Sequence, residues 1–380
     1  MKVDIWSPLP PNESGIAHYV ATIFREGFEA EDLQFCSSSN AVGRPDALQL
    51  YHLGNNPHHE FVYNAARQRP GIIEIHDFSL HHLITELTLA RGDPESYVKI
   101  LHEASGVQGF VSGMRRLNNH FHPRLEFELP LLEPLILSAQ HVIVHSKWAR
   151  QRVRMVKSNA AVSYIPHFCL SPQDIGLAPS KRDAIRQRYS VKPNEVLILS
   201  AGFVTEPKRL PWLVAALKQC YERGLRNFKL IIAGEAQNEQ ILEGARKFPD
   251  KSLVKLLGYQ REDEFDQLFL AADVIPVLRW PSAGEASGVA TRALGFGAHV
   301  IALDYKSFAD LPAELVDLIP LSAEDQIIAK LTETLSNILD NTDQDEHLKT
   351  ARLAYANTHM SLPVIREAYR RLMSTLSEED

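Results

Sequence analysis

The sequence predicts an α/β protein made of two Rossmann-like, doubly wound parallel-sheet domains facing each other across a cleft. Three observations predict it. Short apolar, β-branched runs alternate with longer helical patterns, as parallel strands covered by crossover helices do. The alternation occurs twice, on either side of a polar stretch, 169–196, that has proline near both ends and room for one amphipathic helix. A chain of 380 residues, 45% hydrophobic and 23% charged, is also long and apolar enough to bury two cores.

Taken in order, the first set of strands is expected at 2–6, 32–37, 48–53, 71–77, 141–146 and 162–167. The second set is expected at 196–202, 228–234, 253–259, 273–280, 299–304 and, less sharply patterned, 315–321. The boundary falls near 170–192, giving an amino-terminal domain over 1–172 and a carboxyl-terminal one over 190–360.

Composition excludes several classes. Cys36, Cys169 and Cys220 are odd in number, far apart and without CxxC spacing, so neither a disulfide framework nor a structural zinc site is expected, and a reducing compartment fits. The opening MKVDIWSPLPP runs straight into a strand, unlike a signal peptide, and no stretch is apolar enough to span a bilayer; the expected location is the cytoplasm. A net charge of -7 disfavours a dedicated nucleic-acid partner. The segment SKWARQRVRMVK (146–157), with apolar residues between its cations, is a candidate for peripheral contact with the inner membrane face; a solvated helix is the simpler reading.

Doubly wound sheets bind ligands at the carboxyl ends of their strands, so the loops there are the places to look for chemistry. After the first strand, SPLPPNESGIAHYV opens a helix at Ser14 and Gly15, where glycine lets a ligand approach the backbone; a loop shaped only for folding reads equally well. HLGNNPHHE and HDFSLHHL place His52, Asn55, Asn56, His58, His59, His76, Asp77, His81 and His82 near one rim. His76, at a strand end, is assigned to substrate, and Asn55, Asn56 and Asp77 to the acceptor side. Asp77 and His81 are four apart, yet no HExxH-like pattern appears and no metal site is expected. Lys208 and Arg209, ahead of a helix, suit a diphosphate, although adjacent basic residues are commonly just solvated.

The stretch WPSAGEASGVATRALGFGAHVIALD (280–304) sets Glu285 among Gly284, Ala286, Ser287 and Gly288 at a helix start. Free N–H groups there suit phosphate. The bland alternative is that Ser287 caps the helix and Glu285 complements its dipole. No GxGxxG, GxxxxGK[ST] or GxSxG occurs, which disfavours dinucleotide, P-loop and hydrolase readings, and Asp343-Gln344-Asp345 reads as solvated surface.

In order and spacing, SPLPPNESGIAHY, GNNPHH, IHDF, VIVHS, YIPH, SAGFVTEPKR, LIIAGE, LGY, AADV and PSAGEASG with RALGFGAHVI resemble the family 4 glycosyltransferases of the GT-B fold. The resemblance implies a retaining hexosyltransferase that moves a sugar from a nucleotide-diphosphate sugar to a hydroxyl acceptor, be it a glycan, a glycolipid or a small molecule, with no cofactor or metal required. It implies that Glu285 faces the transferred sugar, that Ala286, Ser287 and Gly288 offer backbone N–H groups, that Lys208 meets the diphosphate and that His76 lies near the reacting sugar. It also implies that a terminal helix, 361–380, packs back toward the first domain. Two positions depart from the pattern: Ala293 stands where the family has a second glutamate, and Phe203 where it has an arginine. They motivate a second reading, a catalytically silent protein that binds a sugar or stabilises a partner.

Overall fold

The computed structural model describes residues 2–12, 14–25, 28, 32–341 and 345–378. The first two residues of the Asp343-Gln344-Asp345 triplet lie outside them. Among the described residues the chain forms two six-stranded sheets in which all pairings are parallel. The first contains β1 (Val3–Trp6), β2 (Leu33–Cys36), β3 (Leu48–Leu53), β4 (Ile72–Ile75), β5 (His141–Val144) and β6 (Val162–Tyr164) in the order β2-β1-β3-β4-β5-β6. The second contains β7 (Val196–Ala201), β8 (Phe228–Ala233), β9 (Val254–Gly258), β10 (Val274–Val277), β11 (His299–Asp304) and β12 (Asp317–Pro320) in the order β12-β11-β10-β7-β8-β9. Each coincides with an expected strand, and several stop short at the carboxyl end. β4 ends at Ile75, leaving His76 and Asp77 to the loop, and β10 ends at Val277, leaving Arg279 and Trp280.

The chain divides into two compact units. The first comprises Met1–Pro166, Pro281–Ala286 and Pro363–Asp380, the second His167–Trp280 and Ser287–Leu362. In the second unit apolar side chains cover both faces of the sheet: Leu197, Leu199, Ile231 and Ile275 on one, Ile198, Leu230, Ile232 and Val274 on the other. This is the doubly wound arrangement that near-continuous apolar strands require. The 170–192 stretch is not a loose tether. Its helix, Arg182–Arg188, is fastened to the second unit by Arg182 and Arg186, both paired with Asp273 ahead of β10.

In the first unit, one sheet face packs Leu53, Ile73, Ile75, Val142 and Val144 against helical Leu83, Leu135 and Val153. The opposite face carries His52, Glu74, His76 and His145. The helix Gly15–Val20 and the terminal helix Leu362–Glu378 belong to this side, because Tyr19 and Tyr369 bond to one another at 2.8 Å and Tyr369 reaches Glu74. The terminal helix buries Ile365, Tyr369 and Met373, an i, i+4, i+8 stripe, and Arg366 secures it by donating to the carbonyls of Thr22 and Ile23. The basic helix Lys147–Val156 turns Ala149 and Val153 inward and stacks Trp148 edge-on against Phe78, so much of its apolar face is used in packing.

Candidate functional site

The second sheet changes winding direction between β7 and β10, the switch point where open α/β sheets receive ligands. Lys208 belongs to the loop leaving β7, and Arg279 to the loop leaving β10. Backbone conformation makes room for the lysine. Gly202 has φ +79°, and a Cβ placed there would stand 2.9 Å from Lys208 Nζ. Nζ donates to the Ala201 carbonyl at the end of β7, at 2.6 Å. Burial first, and the positive charge of Arg279 second, bring the ammonium down from its ordinary 10.5 to about 7. A cation held so near neutrality gains from an anion, which would restore its charge.

Arg209 is placed differently from its neighbour. It adopts a left-handed backbone, φ 52°, and its guanidinium lies 5.0 Å from the Trp212 ring centre and 4.8 Å from that of Trp280. Its Nε donates to the Trp280 carbonyl at 2.7 Å. Two indole rings and a carbonyl thus contact the half-buried cation. Arg279 was not singled out from the sequence; a basic residue just past a strand end was its only signal.

Ser287 caps the helix Gly288–Gly295, its Oγ accepting from Ala290 N at 3.2 Å. The capping reading therefore holds, and it leaves Gly288 exposed at the helix start. Ala293 is buried in the core of the second unit with Phe269 and Phe296, a surface with no room for a carboxylate, while its neighbour Arg292 pairs with Asp266 at 3.1 Å. Phe203 is exposed.

Glu285 lies in the short segment that clusters with the first unit. It is half-buried, and its Oε2 accepts from Ser282 Oγ at 2.8 Å, which itself accepts from Gly284 N at 2.9 Å. The small residue beside it serves packing rather than a ligand. Gly284 has φ +81°, and a Cβ there would meet the Trp148 ring at 2.2 Å. Gly15, by contrast, opens its helix exposed, with nothing within 4 Å of a Cβ position, and Ser14 makes no side-chain cap.

The acceptor-side candidates are joined to one another by local structure. Asp77 Oδ2 accepts from Asn55 N at 2.8 Å, Asn55 Oδ1 accepts from Leu83 N at 3.1 Å, and Asn56 caps the short turn Pro57–His59. The histidine-rich rim disperses. His81 bonds Tyr97 at 2.7 Å and His59 bonds the His52 carbonyl at 2.9 Å, each held near 4 chiefly by burial. His76 instead sits in a group the sequence reading did not assemble. Its Nε2 is 3.0 Å from His52 Nδ1 and its Nδ1 is 3.1 Å from His145 Nε2, with Glu74 beneath all three rings. Burial pushes the Glu74 carboxyl up, but His52, then His145, and the Tyr369 hydroxyl outweigh it and hold the group below its ordinary value. Among the described residues, His52, Glu74 and His76 are also the group whose ligating atoms converge, all within 4.8 Å of one another.

Comparison with known proteins agrees with the fold. Over 130 residues the chain is 31% identical to an uncharacterized glycosyltransferase of Methanocaldococcus jannaschii, a match that spans 34% of this chain and 32% of that protein. Its structure is similar to that of Anabaena HepE crystallised with UDP, with a TM-score of 0.61 at 14% identity over 99% of this chain and 100% of that one. It is also similar to sucrose-phosphate synthase of Thermosynechococcus elongatus, with a TM-score of 0.62 at 15% identity over 100% of each chain. The two parallel sheets thus form the GT-B fold, and residues 181–351, which carry Lys208, Arg279 and the Ser287 helix, match the family model of the group 1 glycosyl transferases.

Proposed function

We propose that the protein is a retaining glycosyltransferase that moves a hexose from a nucleotide-diphosphate sugar to a hydroxyl acceptor. The observation that carries this reading is Lys208, set at the switch point of the sheet inside the segment that matches group 1 glycosyl transferases, with its charge weakened by burial and by Arg279. A diphosphate leaving group supplies the negative charge that such a lysine lacks, and more of it as the glycosidic bond breaks. In this reading Gly288 and the N–H groups of the Ser287 helix add donors, and Glu285 accepts from sugar hydroxyls. His76 meets a hydroxyl only when one of its imidazole partners yields a ring nitrogen. No metal takes part in the reaction. HepE was crystallised with UDP-glucose, which makes that sugar nucleotide the first donor to try.

The test is a panel of nucleotide-diphosphate sugars, read as nucleotide release with and without acceptor extracts, followed by the anomeric configuration of the product. Release that depends on acceptor, with the donor's configuration kept, supports the reading; an inverted product removes the retaining mechanism. A second reading, a silent sugar-binding protein, is favoured by buried Ala293. It predicts nucleotide binding without turnover for every donor.

A further inference from the structure

We propose that Glu74, hydrogen-bonded to Tyr369 of the terminal helix, is a positioning residue that decides which ring nitrogen of His76 carries a proton. Register brings the parts together. His52 on β3 pairs directly with Glu74 on β4, and Glu74 with Ile143 on β5, so His145, two residues on, stands beside His76 on the same sheet face. Glu74 and His52 are fully buried. The ionisable groups near His76 include His52 and His145 from the flanking strands, Glu74 from its own and Tyr19 from the first helix, with Tyr369 of the last helix behind Glu74.

Counting hydrogens shows why the carboxylate matters. A carbonyl only accepts, so His145 carries a hydrogen on Nδ1, which donates to Ile165 O at 2.9 Å. If the three imidazoles are neutral, His145 Nε2 accepts from His76 Nδ1–H and His76 Nε2 accepts from His52 Nδ1–H, leaving a lone pair on His52 Nε2, which has no partner. Glu74 then receives one hydrogen, from Tyr369 at 2.6 Å, and its Oε2 receives none. A buried carboxylate with one donor and no countercharge is unstable. One added proton on His145 Nε2 answers it: the new N–H donates to His76 Nδ1 at 3.1 Å and brings a positive charge to within 3.3 Å of Glu74 Oε1. Two N–H groups cannot face each other at 3.1 Å, so His76 must then carry its hydrogen on Nε2, 3.4 Å from the same carboxylate oxygen, and His52 Nδ1, 3.0 Å from that nitrogen, must accept, which moves the His52 hydrogen to Nε2. Glu74 thus fixes both the charge of the cluster and the tautomer of His76.

The experiment is histidine-selective 15N NMR across a pH titration of the full chain, for wild type, Glu74→Gln and Tyr369→Phe, with thermal melting to confirm folding. In wild type, His76 is expected as the Nε2–H tautomer beside a cationic His145. Glu74→Gln removes the countercharge, so the cluster proton should be lost at a pH lower by about one unit or more, with His76 reverting to Nδ1–H. Tyr369→Phe strips the carboxylate of its donor and leaves its charge more exposed to the imidazoles, so the proton should be kept to higher pH. If Glu74→Gln does not fold, the upward shift in Tyr369→Phe decides alone. An unchanged tautomer and titration in both variants overturns the proposal. So does stoichiometric uptake of zinc or cobalt with ligation shifts at His52 and His76, which would make the cluster a metal site. The catalytic consequence rests on the transferase reading: the pH profile of transfer should move with each NMR shift. The NMR outcome itself needs no turnover, so absence of activity leaves the proton assignment standing.

Discussion

Lys208 is the residue with most at stake. Held near 7, it is partly neutral in the free protein at physiological pH, and a bound diphosphate raises its proton affinity. The complex therefore holds more protons than the free protein, and affinity for a nucleotide diphosphate should fall as pH rises from about 7 toward the ordinary lysine value. Calorimetry in buffers of different ionisation enthalpy should register fractional proton uptake at pH 7 to 8 that vanishes in Lys208→Ala, together with a loss of turnover of about a hundredfold or more. Binding that is pH-independent in wild type would count against the site. Glu285→Gln should behave differently, with turnover down about tenfold and affinity little changed, because its charge is needed mainly as the sugar gains positive character. Two neighbours test structure rather than chemistry. Ser287→Ala removes a cap and should lower stability by about 1 kcal/mol. Gly284→Ala drives a methyl group into Trp148 at a positive φ and should cost more, roughly 2–3 kcal/mol, so urea denaturation that ranks the two the other way would contradict the packing account.

Among elements, the terminal helix shows how much an amphipathic stripe can carry. Ile365 is fully buried on the side of the helix that presents Tyr369, so Ile365→Ala should destabilise the first unit by about 2–4 kcal/mol, measured by denaturation. Because Tyr369 ties that helix to Glu74, the same variant should also disturb the histidine resonances of the cluster. The strands themselves were legible in the sequence, since a continuous β-branched run bounded by turn residues has few other uses. Two of them also carry a second signal. His52 in LQLYHL and Glu74 in IIEI are polar side chains inside strands whose other residues are apolar, and a polar group in a doubly covered strand needs a partner. Which partner depends on strand order, and that cannot be read along the chain.

For the whole molecule, the two units differ in how they use the chain. The second is nearly continuous in sequence, interrupted only by Pro281–Ala286, whereas the first draws on three separated segments. A fragment spanning 167–362 should accordingly fold alone and keep the pH-linked nucleotide binding of Lys208. A fragment spanning 1–166 lacks the helix that supplies Tyr369 and Ile365, and should be unstable until a peptide of residues 363–378 is added. Circular dichroism and melting of both fragments, with and without the peptide, check this; a stable 1–166 fragment would show that the terminal helix is dispensable.

The sequence by itself determined the fold class, the twelve strands and the loops where chemistry was sought, because apolar period and turn residues act over a few neighbours. It also pointed to Lys208, whose place follows from being a few residues past a strand end. Only the tertiary structure decided which side chains share a surface. Strand order set His52, Glu74, His76 and His145 on one face, Trp280 from a distant loop met the Arg209 guanidinium, and Trp148 made Gly284 a packing glycine. Each of these joins residues tens to hundreds of positions apart, and contacts at that range are fixed by how sheets and helices assemble rather than by any local preference of the chain.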